Sequence, residues 1–342
     1  SEFLRDIAAQ PQALRDLVGY YRGEGAARLR QWVSLALPAR RVLLSGMGSS
    51  EHALEVILPD LDDAGIAALA IDAGELLYYP RAACDLLVLV SQSGESVETR
   101  RVAQQLSARV PLVAVTNRPN STIGRAASLV LPLNAGDEGL ISTKTYTNTL
   151  GLLHLMGRAL FGASTLAAAL DALEDAAARM GGVDQAAVEQ GADLMAGASN
   201  VHVVARGPAL ASAREFALIL REGARLNATV FTGGAFRHGP FELVDHEHRA
   251  VLLAPEGPTR ERMRSLAADL LRLGSRVVVV TDRPDLFPAH QCACTLPVSS
   301  VGETLFPVCV APALELLVEA LARRRGVRAG EFRYGGKVTT EE

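Results

Sequence analysis

Three kinds of residue in this chain sit where they could act on a small anionic molecule. Hydroxyls gather in "SGMGSS" (45–50) and "SQSGES" (91–96). The first offers Ser49 and Ser50, the second Ser91, Ser93 and Ser96 with the Gln92 amide, while Gly48 and Gly94 let the backbone approach closely. Each stretch follows a short apolar run and precedes a helical pattern, so its donors lie beside unpaired helix N–H groups. That suits a phosphate held without a fixed cation. Serines and glycines after strands also serve as turn and N-cap residues, which explains "SGMGSS" alone equally well. "SQSGES" carries more hydroxyls than a cap needs, and neither stretch is a dinucleotide fingerprint or a P-loop lysine motif.

The second kind is an amine. The 34 Lys and Arg of the chain include only two lysines, Lys144 and Lys337. An amine can lose its proton and attack a carbonyl, whereas a guanidinium cannot. Lys144 follows "IST" at a helix start and reads as structural or pocket-shaping. Lys337, in the closing "FRYGGKVTTEE", reads as a nucleophile on a strap, with Phe332 and Tyr334 pinning it and Gly335–Gly336 letting it fold over a pocket.

The third kind is a proton carrier. Moving a carbonyl between adjacent carbons of a small molecule requires a base near carbon. Glu222 lies late in the helix starting near Pro208, on the same face as Glu215. The expectation for Glu215 is a solvated charge. His238, in "TGGAFRHGPFELVD", stands in a glycine-rich loop, where an imidazole can pass protons near neutral pH. His246 and His248 ("DHEH") lack a third ligand at a zinc spacing and read as a charged loop; no metal and no cofactor is implied. His52, His154, His202 and His290 read as local or core histidines.

The elements that must hold these groups repeat. "RRVLLSG", "CDLLVLV", "VPLVAVTN" and "ASLVLPL" alternate with helical patterns, and "NVHVVARG", "HRAVLLAPEG", "SRVVVVTD" and "CTLPV" follow the same order. Thr116 and Thr281 stand 165 apart, Gly94 and Gly257 163 apart. Such a repeat predicts two similar α/β domains with parallel sheets, related by internal duplication. The expected organisation is an N-terminal helical segment (1–30), a first domain (31–165), a helical linker (166–190), a second domain (191–328) and a tail (329–342) carrying Lys337. The second copy has "APEG" in place of "SQSGE", so only the first copy is equipped for phosphate.

At "SQSGES", "ISTKTYT" and "FRHGP", in that order, the sequence resembles the SIS (sugar isomerase) family, and within it the isomerase part of glucosamine-6-phosphate synthase and its stand-alone relatives. The likeness runs over nearly the whole chain. It implies paired flavodoxin-like three-layer α/β/α SIS domains. It also implies a phosphate site at Ser50, Ser91, Gln92, Ser93 and Ser96 with the neighbouring Gly48, Ser49 and Gly94, and sugar contacts near Leu140 and Ser142. By the same resemblance Glu222 is the base, His238 assists ring opening from the other subunit of a homodimer, and Lys337 forms a Schiff base with the open-chain ketose. The chain departs from the pattern at Ile219, where the synthase has a lysine, and at Ala235, where relatives often have an acid.

Only about 35 residues precede the first strand, far short of a glutaminase domain. The expected activity is therefore an aminosugar-phosphate isomerase/deaminase. Alternatives are a plain aldose–ketose phosphosugar isomerase, a fructosamine-phosphate deglycase, or a sugar-phosphate sensor without chemistry. A sensor needs the serine loops but not Glu222, His238 and Lys337 together.

Composition narrows the classes further. A net charge of -4 and scattered arginines do not suit a nucleic-acid binder. Charges or glycines break every apolar run short of a membrane span. Cys84, Cys292, Cys294 and Cys309 form no C-x-x-C and read as reduced core residues of a cytoplasmic protein. The apolar "VCVAPALELLVEALA" is compatible with a dimer interface.

Overall fold

The computed structural model describes residues 1–79 and 83–339. It divides into two compact units. One comprises Pro11–Glu138, Lys144–Asp175 and the tail from Tyr334; the other comprises Ser1–Gln10, Gly139–Thr143 and Ala176–Arg333.

The first unit holds strands β1 (Arg41–Gly46), β2 (Ala67–Asp72), β3 (Leu86–Val90), β4 (Leu112–Thr116) and β5 (Leu129–Pro132). They pair in parallel in the order β2-β1-β3-β4-β5. β3 and β4 are unbroken runs of buried residues, as a sheet covered on both faces demands. The helix Lys144–Ala159 is buried along nearly its whole length, with the Asn148 amide donating to the carbonyls of Ala13 and Leu133. Trp32, fully buried, donates its indole N–H to the Met156 carbonyl at 2.8 Å.

The second unit repeats the design with β6 (Asn200–Ala205), β7 (Asn227–Thr232), β8 (Arg249–Leu253), β9 (Arg276–Thr281) and β10 (Ala293–Pro297). Their order, β10-β9-β8-β6-β7, is that of the first sheet strand for strand. Thr116 and Thr281 close corresponding strands β4 and β9. Both sheets have the flavodoxin-like order, the α/β class anticipated from the repeat.

Three sequence readings are corrected. β2 and β7 are edge strands whose half-exposed, mixed patterns ("AALAID", "NATVFT") lack the apolar signature of their neighbours, so neither was anticipated. The segment Glu303–Arg324 is long and apolar enough to cross a membrane by length and composition, contrary to the expectation that every such run is broken. It is 89% buried in its own unit, where Val310, Leu317 and Val318 are fully covered. Its apolar face therefore builds a core and leaves little for a dimer interface. Of the four cysteines, all free, only Cys294 and Cys309 are buried; burial pushes both thiols up to about 11.

Candidate active site

In the first sheet the connections run outward from β1 to β2 and, in the other direction, from β3 to β4 and β5. Strands β1 and β3 thus flank the point where the order reverses, which is where ligands bind in such sheets. The two hydroxyl loops leave these two strands side by side. A Cβ on Gly46 would lie 3.0 Å from both the Val90 carbonyl oxygen and the Ser50 backbone. Gly48 takes a positive φ of 53° to start the short helix Ser49–His52, and Ser49 and Ser50 are half-buried there.

The loop after β3 is built from its own hydroxyls. Ser91, buried, accepts the Gly94 N–H at 3.1 Å, and Ser93 accepts the Glu95 N–H at 3.1 Å. Each uses an oxygen lone pair, so each hydroxyl proton is still available to donate. The Gln92 carbonyl accepts from Asn117 N–H and the Thr116 hydroxyl, fixing the loop to β4 while its side chain stays half-buried. Glu95 accepts from Thr122 N–H and hydroxyl at 2.7 and 2.8 Å. Burial acts to raise its carboxyl, but those bonds and the Arg100 and Arg125 charges hold it below the usual range. Gly94 has φ 66°, and a Cβ there would lie 1.9 Å from Ser121 Oγ. Ser96 stands at the N-cap of the helix Val97–Leu106, yet its hydroxyl makes no capping bond.

The tail reaches this same helix. Val97, its first residue, donates its N–H to the Thr339 carbonyl at 3.1 Å. Two residues earlier, Lys337 Nζ sits 2.7 Å from Glu138 Oε2. The Lys337 side chain is 20% exposed and that of Glu138 is 0% exposed. Glu138 also accepts Thr145 N–H at 2.9 Å and the Thr145 hydroxyl at 2.6 Å. Thr145 lies in the first turn of the helix Lys144–Ala159, where a carboxylate is favoured by unpaired N–H groups. Lys144 itself donates to the Asp137 carbonyl, a structural bond. Glu138 was not singled out in the sequence, where "GDEG" looks like a charged loop. Tyr334 is 96% exposed and pins nothing, a correction; Phe332 does pack against the second unit's core.

The remaining candidates lie in the second unit. Glu222 is half-buried near the end of the helix Ala209–Gly223. Glu215, expected to be solvated, is 4% exposed, because its turn of the helix faces the core. Ile219 belongs to that core at 1% exposure, so the position given to lysine in the synthase is apolar here. His238 is exposed, and its ring makes no hydrogen bond among the described residues. Its neighbour Arg237 is fixed by Asp269 at 2.8 Å and lies over the Phe241 ring. Ala235 donates its N–H to Thr232 Oγ1. Leu140 lines a cavity of about 200 Å³ with Phe3, Asp6 and Arg328, and Ser142 is half-buried nearby in sequence.

The "DHEH" reading is half corrected. His246 is exposed, but His248 is buried, 2.8 Å from the His202 ring and 2.7 Å from Ser275 Oγ. Burial drives His248 down to about 4 and lowers His202 as well, so this is a neutral core pair and not a charged loop. After β8, where the first unit has its hydroxyls, the Glu256 carboxylate pairs with Arg260 and Arg283 and its N–H goes to Asp282. That loop is closed by its own ion pairs.

The fold and these loops define a tandem, doubly wound α/β protein with a hydroxyl-rich loop at the switch point of one of its two copies. The chain belongs to the SIS domain family, whose model matches residues 37–158 and 194–322. It is similar to the glutamine–fructose-6-phosphate aminotransferase [isomerizing] of Gloeobacter violaceus, 30% identical over 99% of this chain and 58% of that protein. The Pyrobaculum aerophilum protein of that name is 29% identical over 99% of this chain and 57% of its own length. The chain thus spans about half the length of the relatives it matches. Among solved structures, the C-terminal domain of glucosamine-fructose-6-phosphate aminotransferase from Francisella tularensis superposes with a TM-score of 0.84, at 21% identity, over 97% of this chain and 98% of that one. Glucosamine-6-phosphate deaminase from Thermotoga maritima gives 0.78 at 17% identity, covering 99% of both chains.

Proposed function

We propose that this chain is an aminosugar-phosphate isomerase/deaminase, interconverting glucosamine 6-phosphate, or a close relative, with fructose 6-phosphate and ammonia. The observation that carries the reading is the tail lysine. One of only two lysines in the chain is seated on a buried carboxylate, in the unit that bears the hydroxyl loops. A segment that only packs against its unit needs no amine there, whereas imine chemistry does.

In this reading Ser50, Ser91, Gln92, Ser93 and Ser96 hold the phosphate, with Gly48, Ser49 and Gly94 shaping the loops. Leu140 and Ser142 contact the sugar. Lys337 forms an imine with the C2 carbonyl of the open-chain ketose. Glu222 carries the proton between C1 and C2, and His238, supplied by the partner of a homodimer, assists ring opening. A solved structure named glucosamine-6-phosphate deaminase, from Thermotoga maritima, shares this fold over 99% of both chains, so the fold is compatible with the reading. Support for the sugar class comes from the aminotransferase relatives.

Incubating the purified chain with glucosamine 6-phosphate should release ammonia and ketose phosphate in equal amounts. Ketose formed from an aldose phosphate without ammonia would instead identify a plain isomerase. Binding of hexose phosphates with no turnover at micromolar enzyme over hours would identify a sensor and refute the proposal.

A further inference from the structure

The imine reading leaves a question open: what removes the proton from Lys337. Its Nζ lies 2.7 Å from Glu138 Oε2, and in that ion pair the lysine is an ammonium with no lone pair to offer a carbonyl. The Glu138 side chain is wholly buried, and Thr145 presents both its N–H and its hydroxyl to the carboxylate. The tail has an independent anchor in the Val97 N–H bond to Thr339, so holding the tail down does not require a carboxylate at 138.

We propose that Glu138 is a catalytic proton acceptor and donor for imine formation at Lys337, a role that rests on the reading of Lys337 given above. The steps balance. Glu138 Oε2 takes one proton from the ammonium, leaving a neutral amine and a carboxylic acid. The amine lone pair adds to the C2 carbonyl carbon, and the carbonyl oxygen becomes a hydroxyl by taking the surplus proton from nitrogen. Glu138 then returns its proton to that hydroxyl, which departs as water while nitrogen forms the C=N bond. The product is a protonated imine, the carboxylate is restored, and no other reactant is needed. Thr145 keeps the carboxylate oriented through the cycle by donating to both of its oxygens.

The test is the rate at which borohydride traps fructose 6-phosphate on the chain. Glu138→Gln preserves shape: its amide oxygen can take the place of Oε2 and accept from Lys337 and the Thr145 hydroxyl, while its NH2 faces the Thr145 N–H, and it cannot take a proton. The expected result is trapping slowed by about 10²-fold. Inorganic phosphate binding, measured by calorimetry, should stay close to wild type, and the variant should still melt in a single cooperative transition, at a lower temperature because the Thr145 N–H loses its acceptor. Glu138→Asp, which keeps a base at a shifted position, should trap at a rate between the two. Trapping by Glu138→Gln as fast as wild type would overturn the role of Glu138 and leave the imine reading standing. A wild-type chain that yields no adduct, or an adduct that persists in Lys337→Ala, would overturn both. Should Glu138→Gln fail to fold, equal trapping by Glu138→Asp and wild type would count against a positioned base.

Discussion

Replacing Gly94 by Ala tests the loop geometry at the point where the structure allows least. The residue has φ 66°, and a left-handed backbone costs a non-glycine residue about 1–2 kcal/mol. The new Cβ would lie 1.9 Å from Ser121 Oγ, 2.4 Å from Ser121 Cβ and 3.2 Å from Ile123 Cγ1. Ser121 must therefore move. Its Oγ caps the helix Thr122–Ala126 by accepting the Gly124 N–H, and losing such a cap costs about 1 kcal/mol. The two terms give a destabilisation of about 2–3 kcal/mol, a large share of the ~5–15 kcal/mol of a typical domain. Urea unfolding of the full chain measures it. Because the Gly94 N–H is also what Ser91 Oγ accepts, phosphate affinity should fall at least about tenfold, equivalent to about 1.4 kcal/mol. Adding Ser121→Gly to Gly94→Ala should recover about 1 kcal/mol, since it removes the clash and a glycine cap costs only a few tenths. A Gly94→Ala chain within about 0.5 kcal/mol of wild type and with unchanged phosphate binding would refute the account of this loop.

Other predictions follow from single contacts. Ser96→Ala should leave stability unchanged, because the hydroxyl makes no capping bond, and should weaken inorganic phosphate binding about tenfold by calorimetry. Glu222→Gln should bind hexose phosphates like wild type and lose turnover by at least about 10²-fold; full activity would remove Glu222 from the mechanism. His154 and His248 are each held down to about 4 by burial, below the unfolded value of 6.5. Their depressed values mean that the unfolded chain binds protons the folded chain refuses, so stability is full above pH about 6.5 and declines as pH falls toward about 4. Melting points at pH 7 and pH 5 check this, and a flat profile would contradict the burial of these rings.

The legibility of the fold in the sequence followed burial. β3, β4 and β9 are continuous apolar runs because both faces are covered, and such runs are visible without coordinates. β2 and β7 lie at sheet edges with mixed faces and carry no such pattern. The hydroxyl loops could be read because their residues are consecutive. Glu138 could not, since its partner Lys337 lies 199 residues further along the chain. The His202–His248 pair was hidden for the same reason, being joined only by the pairing of β6 with β8. In the tail, the sequence marked the amine by its rarity but could not distinguish Phe332, which packs, from Tyr334, which does not.

The central claim is that Lys337 forms the imine, and with two lysines in the chain the measurement has few possible answers. Fructose 6-phosphate, borohydride and the native chain should give a stable adduct that peptide mass spectrometry places on Lys337, absent from Lys337→Arg although that variant still binds phosphate. Efficient turnover of glucosamine 6-phosphate with the adduct on Lys144, or with no adduct at all, would contradict it.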